Sequence, residues 1–182
     1  MSKVYIFLAN GFEEIEGLTV VDMLRRAGIE ISMVSITGAK EITGAHNIKV
    51  MADELFEDID FNDADMLVLP GGMPGTKYLA AHQGLVTLLK QFNKEGKQLA
   101  AICAAPSVLG VNGILQGKRT TCYPGYEDKL LGAIVTTNNV EIDNNIITGK
   151  GMGTSIDFSL RIIEKLIDLE TANKIATAIQ YN

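Results

Sequence analysis

The chain has 182 residues, of which 47% are hydrophobic and 21% charged, with a formal net charge of −6. That size and balance suit one globular domain with a sizeable core, so residues 1–182 are read as a single domain. The acidic balance and the lack of basic runs argue against nucleic acid or a membrane surface as partners, and two cysteines nineteen positions apart make no disulfide framework and suit a reducing, cytoplasmic setting.

Val4–Ala9 is an apolar run of strand length, ended by Asn10 and then by Glu13, Glu14 and Glu16. It is too short and too closely followed by acids to be a signal peptide or a membrane span. Glu13–Ala27 has helical spacing, with Asn10 placed to cap it and Gly28 where a helix-stopping glycine belongs. Ile29–Ile36 reads as a second strand and Thr43–Val50 as a hairpin. Met66–Leu69 is a buried strand ended by Pro70-Gly71-Gly72, with helices expected near Thr76–Ala81 and Leu85–Lys94. Leu99–Ile102 leads into a helix from Ala105. Short strands follow at Ile134–Thr137, Val140–Ile142 and Ile146–Thr148, with Asn144-Asn145 as a turn, then helices at Ser155–Ile167 and Thr171–Ile179. Apolar strands alternating with helices predict an α/β fold, a doubly wound and mainly parallel sheet covered on both faces. In such sheets ligands bind beyond the carboxyl ends of the strands, where the strand order switches. The turns Ala9–Glu16, Leu69–Gly75 and Ile102–Pro106 should meet at that edge.

Cys103 stands in one of these turns, between a strand and a helix, with Ala101, Ala104 and Ala105 around it. The pattern small-x-Cys-x-small mirrors the nucleophile elbow, in which only small neighbours fit a sharp strand-to-helix turn. A helix N-terminus there would favour thiolate over thiol. The alternative is a buried structural cysteine. Glu16 extends the apolar stripe of Val20, Met23 and Ala27, an expensive place for a carboxyl without a partner. A protonated Glu16 donating a hydrogen bond to Cys103 would resolve that cost, whereas a first-turn acid complementing the helix dipole is the ordinary reading, and the one sufficient for Glu13 and Glu14. The Leu69-Pro70-Gly71-Gly72 turn offers unscreened amides that, with the amide of Ala104, could make an oxyanion hole; a plain glycine turn is the alternative.

Other constellations are weaker. His46 and His82 are not placed near the elbow, and the cysteines and histidines lack ligand spacing, so no metal site is expected. Gly149-Lys-Gly-Met-Gly-Thr154 matches neither phosphate-binding glycine motif, and Thr154 with Asp157 reads as a capping box. Cys122 is a candidate resolving thiol for oxidised Cys103, or simply a small residue near a strand end.

GFEEIE, LPGG, AAICAAP and GKGMGTS, in this order from about residue 3 to residue 170, resemble the DJ-1/ThiJ/PfpI superfamily, and its DJ-1/ThiJ-like branch in particular. The resemblance implies a flavodoxin-like sandwich related to class I glutamine amidotransferase domains, usually a homodimer. By matching position it makes Cys103 the nucleophile, Glu16 the carboxyl that contacts it, and Gly72 and Ala104 the amide donors, with Gly71 and Tyr123 in the pocket. Protease-type members carry His after the cysteine, and Ala104 here argues against peptidase activity. Tyr123 stands where animal members have His, Met152 replaces a frequent Pro, and His46 stands where some relatives have Arg near the dimer contact. The implied function is cofactor-free chemistry on a small reactive carbonyl or glycated adduct, of glyoxalase or deglycase type. The alternative is an oxidative-stress sensor or chaperone-like protein whose cysteine becomes a sulfinate.

Overall fold

The computed structural model describes residues 2–181. Its strands are β1 (Lys3–Leu8), β2 (Glu30–Ser35), β3 (Glu41–Thr43), β4 (Lys49–Met51), β5 (Glu54–Leu55), β6 (Met66–Leu69), β7 (Gln98–Ile102), β8 (Arg119–Thr120), β9 (Ile134–Val135), β10 (Val140–Asp143) and β11 (Ile146–Gly149). The helices are α1 (Glu14–Arg26), α2 (Gly75–Ala81), α3 (Gln83–Lys94), α4 (Pro106–Gly110), α5 (Ser155–Leu166) and α6 (Leu169–Ala178).

Seven strands form the main sheet in the order β10-β11-β7-β6-β1-β2-β5. All neighbours are parallel except the β10–β11 hairpin, which turns through Asn144 at φ 55°. The chain runs outward from β1 through β2, returns to β6 on the other side of β1, and then runs outward through β7. The switch in strand order therefore falls between β1 and β6, as doubly wound sheets require.

Alternate residues of β1 serve two cores. Tyr5 and Phe7 pack with α2, α3 and α4 through Leu79, Leu89, Phe92 and Val108. Val4, Ile6 and Leu8 pack with α1, α5 and α6 through Val20, Leu24, Phe158, Ile162 and Ala172. With both faces covered, the central strands read as continuous apolar runs, and β6 is buried at all four positions. No helix among the described residues is long and apolar enough to cross a membrane.

The structure departs from the sequence reading in several places. Asn10 does not cap α1: its Oδ1 accepts the N–H of Thr43 at 3.0 Å, and Glu13 holds the capping position without a side-chain bond. Asn10 thus ties the first turn to the hairpin β3–β4. Thr154 and Asp157 form no capping box. Thr154 Oγ1 bonds Gly151, while the Asp157 carboxylate accepts from Tyr181 and Asn139. The segment at Ile134 pairs with β8 in a separate two-stranded ribbon and not with the main sheet.

Candidate active site

The carboxyl ends of β1, β6 and β7 are adjacent in the sheet and level in register, with Ile6 opposite Val68 and Leu69 opposite Ala101. Their loops meet at one edge, which brings Glu16, Gly71, Gly72, Cys103 and Ala104 together. Cys103 has φ 65°, the left-handed region that few side-chain-bearing residues occupy. Such a conformation persists only where the surroundings fix it. Here the Cys103 N–H donates to Gly149 O at 2.9 Å, and its carbonyl accepts from Tyr123 N–H at 2.8 Å. The elbow is thus held from β11 on one side and from the segment after β8 on the other. Ala104 and Ala105 are buried beneath it, and the cysteine itself stays partly exposed.

Glu16 is wholly buried. Its Oε2 accepts the Gly71 N–H at 2.9 Å, and the carboxyl interacts with the Cys103 thiol. Oε1 is buried without a partner of good hydrogen-bond geometry, so the contact with sulfur is a loose one. Gly71 is needed for this approach. A Cβ there would stand 2.6 Å from Glu16 Oε2 and 2.7 Å from Cys103 Cβ. Gly72, at φ 90°, turns its amide toward the sulfur, as does Ala104. The two donors expected for an oxyanion hole therefore both address Cys103.

Burial pushes the Glu16 carboxyl up to about 7. The Cys103 thiol is not lowered, contrary to the sequence expectation. Burial first, and then the Glu16 carboxylate, push it up to about 12, against the pull of the Ala104 and Gly72 amides. One physical reason is the helix beyond it, only five residues long and starting at Pro106, whose dipole is small. The pair titrates as a unit: it carries two protons below about 7 and a single one, held chiefly on sulfur and open to transfer to the carboxyl, above it. With that proton on Glu16, the carboxylate's repulsion disappears and the two amides act on a thiolate opposed by burial alone.

Tyr123 is half exposed, and its ring lies over Gly151, so it borders the site. Cys122 is buried in the core on the α2–α4 side, with its thiol pushed up to about 11 by burial. Cys103 packs toward the opposite core. His82 caps α3, its Nδ1 accepting the N–H of Leu85 at 3.0 Å. His46 and Glu14 show what sequence reading missed. Glu14, read as an ordinary first-turn acid, is buried and accepts from the His46 N–H at 2.7 Å, while its other oxygen lies 2.9 Å from His46 Nδ1. Only the extra carboxylate beside Glu16 on a mostly buried first turn hinted at this.

Comparison with known proteins agrees with this fold. "Protein DJ-1 homolog B" of Arabidopsis thaliana is 37% identical over 176 residues, 96% of this chain and 40% of that protein. The chain spans less than half the length of the plant relatives it matches. "Glutathione-independent glyoxalase DJR-1.2" of Caenorhabditis elegans is 33% identical, with 90% of this chain and 87% of that protein covered. The solved structure "Toxoplasma gondii DJ-1, oxidized" superposes with a TM-score of 0.95 at 35% identity, covering 100% of this chain and 99% of that one. The sequence model of the DJ-1/PfpI family matches residues 2–165, a span that holds the β1, β6 and β7 loops and every group around Cys103, and the chain belongs to that family.

Proposed function

We propose that the chain is a cofactor-free cysteine enzyme acting on small reactive carbonyls, with glyoxalase chemistry on methylglyoxal as its simplest form. The observation that carries this reading is the strained elbow cysteine sharing a proton with a buried carboxyl, under two backbone donors. In the reaction the shared proton moves to Glu16 as Cys103 sulfur bonds to the aldehyde carbon. Glu16 then delivers the proton to the new alkoxide, giving a hemithioacetal. The Glu16 carboxylate next removes the hydrogen from that carbon as a proton and passes it to the neighbouring oxygen, giving an enediol; the hydroxyl on the first carbon then gives its proton to Glu16, which returns it to the neighbouring carbon. The product is a lactoyl thioester on Cys103. Water cleaves it to lactate and restores the thiol, so one water is consumed and no external oxidant or reductant is needed. The Gly72 and Ala104 amides are placed beside the sulfur, where oxygen charge develops. The relative named as a glyoxalase supports the reading. A glycated adduct presents related carbonyl chemistry to the same groups, and a cytoplasmic homodimer is the setting we propose.

A second reading has its own support. A protonated carboxyl and two amides around a sulfur would also hold a sulfinate, with Cys103 serving as an oxidation sensor. Lactate release from methylglyoxal, without glutathione, by wild type and by Cys103→Ser separates the two. Lactate from wild type alone is expected. Absence of lactate from both would refute the enzyme reading and leave the sensor.

A further inference from the structure

A second cluster of chemistry-bearing side chains lies one turn from Glu16 and has no part in the reaction above. Glu13, Glu14 and His46 each bring one ligand atom within 4.8 Å of the others. We propose that these three side chains form a binding site for a divalent cation of the zinc class, with Glu13 Oε2, Glu14 Oε2 and His46 Nδ1 as ligands and the remaining positions open to water.

The spacing supports this. Nδ1 lies 2.9 Å from Glu14 Oε2 and 3.5 Å from Glu13 Oε2. Ligand atoms about 2.0–2.1 Å from a zinc-sized ion stand roughly 3.4 Å apart in a tetrahedron and roughly 2.9 Å apart in an octahedron. The charge balance is a separate argument. Two carboxylates, one nearly fully buried and the other largely so, share a single imidazole nitrogen. One N–H cannot serve both, and the Glu13 carboxylate accepts no hydrogen bond among the described residues. A dication at that point would satisfy both carboxylates at once.

The ligands are also held in place. Glu14 Oε1 is taken by the His46 N–H, which leaves Oε2 to face the cluster. The turn carrying His46 is fixed to the loop that leads into α1 by Ala45 N–H to Phe12 O and Gly11 N–H to Thr43 O, both 2.8 Å. In the single chain His46 is two-thirds exposed, which leaves the cluster open on that side. One imidazole and two carboxylates suit zinc or its first-row neighbours more than calcium, which takes oxygen ligands alone.

The test is a titration with Zn2+ in competition with a chromophoric chelator, using wild type, Cys103→Ser, Glu13→Gln and His46→Gln. One equivalent is expected in wild type and in Cys103→Ser, and affinity at least tenfold weaker in Glu13→Gln and His46→Gln. Glu13→Gln keeps the Glu14–His46 contact, so it serves as the check if His46→Gln melts at a lower temperature. Co2+ on the wild-type protein should show d–d absorption without a sulfur-to-metal charge-transfer band. No bound equivalent, equal affinity across the variants, or a sulfur band together with loss in Cys103→Ser would each overturn the assignment. None of these readouts depends on lactate formation, so the site stands or falls apart from the proposed reaction.

Discussion

Replacing Glu16 by glutamine should flatten the dependence of stability on pH. In the folded protein burial raises this carboxyl from 4.5 to about 7. A carboxyl raised on folding favours the folded state while it is protonated, so its contribution is fully present below 4.5 and is lost as pH rises through about 7. At about 1.4 kcal/mol per pH unit, that rise amounts to roughly 3 kcal/mol over the whole window. Glutamine keeps the shape of the protonated acid: its oxygen can still accept from Gly71 N–H, and its NH2 can face Cys103. Urea unfolding of wild type and Glu16→Gln at intervals from pH 4.5 to pH 8 measures the difference directly. All other titrating groups are common to both proteins and cancel in the comparison. Wild type should lose about 3 kcal/mol relative to the variant across that range, most of it between pH 5 and pH 7. Parallel curves would refute the claim that Glu16 holds its proton by burial, and with it the shared-proton account of the site.

Three further outcomes are expected. Gly71→Ala places a Cβ within 2.7 Å of Glu16 and Cys103, so it should destabilise by about 1–3 kcal/mol and slow alkylation of Cys103 by iodoacetamide; unchanged alkylation would show that the close approach is dispensable. Thr148→Val removes the acceptor of the buried Thr121 N–H and should cost about 1–3 kcal/mol in urea unfolding. Peroxide should add oxygen to the partly exposed Cys103 before the buried Cys122, with no Cys103–Cys122 crosslink because the two face opposite cores; peptide mass spectrometry showing that crosslink would make Cys122 a resolving thiol.

The sequence was most legible where one local pattern decides the structure. Met66–Leu69 is apolar at every position because the strand is buried on both faces, and its ends follow from Asp65 before it and Pro70 after it. Glu16 could be singled out by its angle on the helix, and Cys103 by the small residues that a positive φ in a crowded turn demands. The rest depended on partners distant in sequence. Glu54–Leu55 and Arg119–Thr120 are two residues each, too short to carry a period, and are strands only because β2 and β9 lie beside them. Glu14 looks like any first-turn acid until His46, thirty-two positions on, folds over it. The direction of the Cys103 shift was hidden for the same reason. It depends on burial and on a neighbour's charge, which together outweigh the pull of the Ala104 and Gly72 amides.

The burial of Glu16 bears on both functional readings at once. A carboxyl with no exposed surface exchanges protons with whatever its neighbour sulfur has bound more readily than with bulk water. In the resting pair that neighbour is the thiol. In a hemithioacetal it is the new oxygen and the adjacent carbon hydrogen, and in a sulfinate it is a sulfur-bound oxygen. On both proposed readings the same geometry keeps the thiol protonated until an electrophile draws the proton across to Glu16. Gly71 enforces this, since its amide fixes Oε2 and its missing side chain lets the carboxyl reach Cys103. In the proposed reaction selectivity rests on how well an electrophile can use the transferred proton, and a carbonyl takes it back from Glu16 at the alkoxide that forms when sulfur adds.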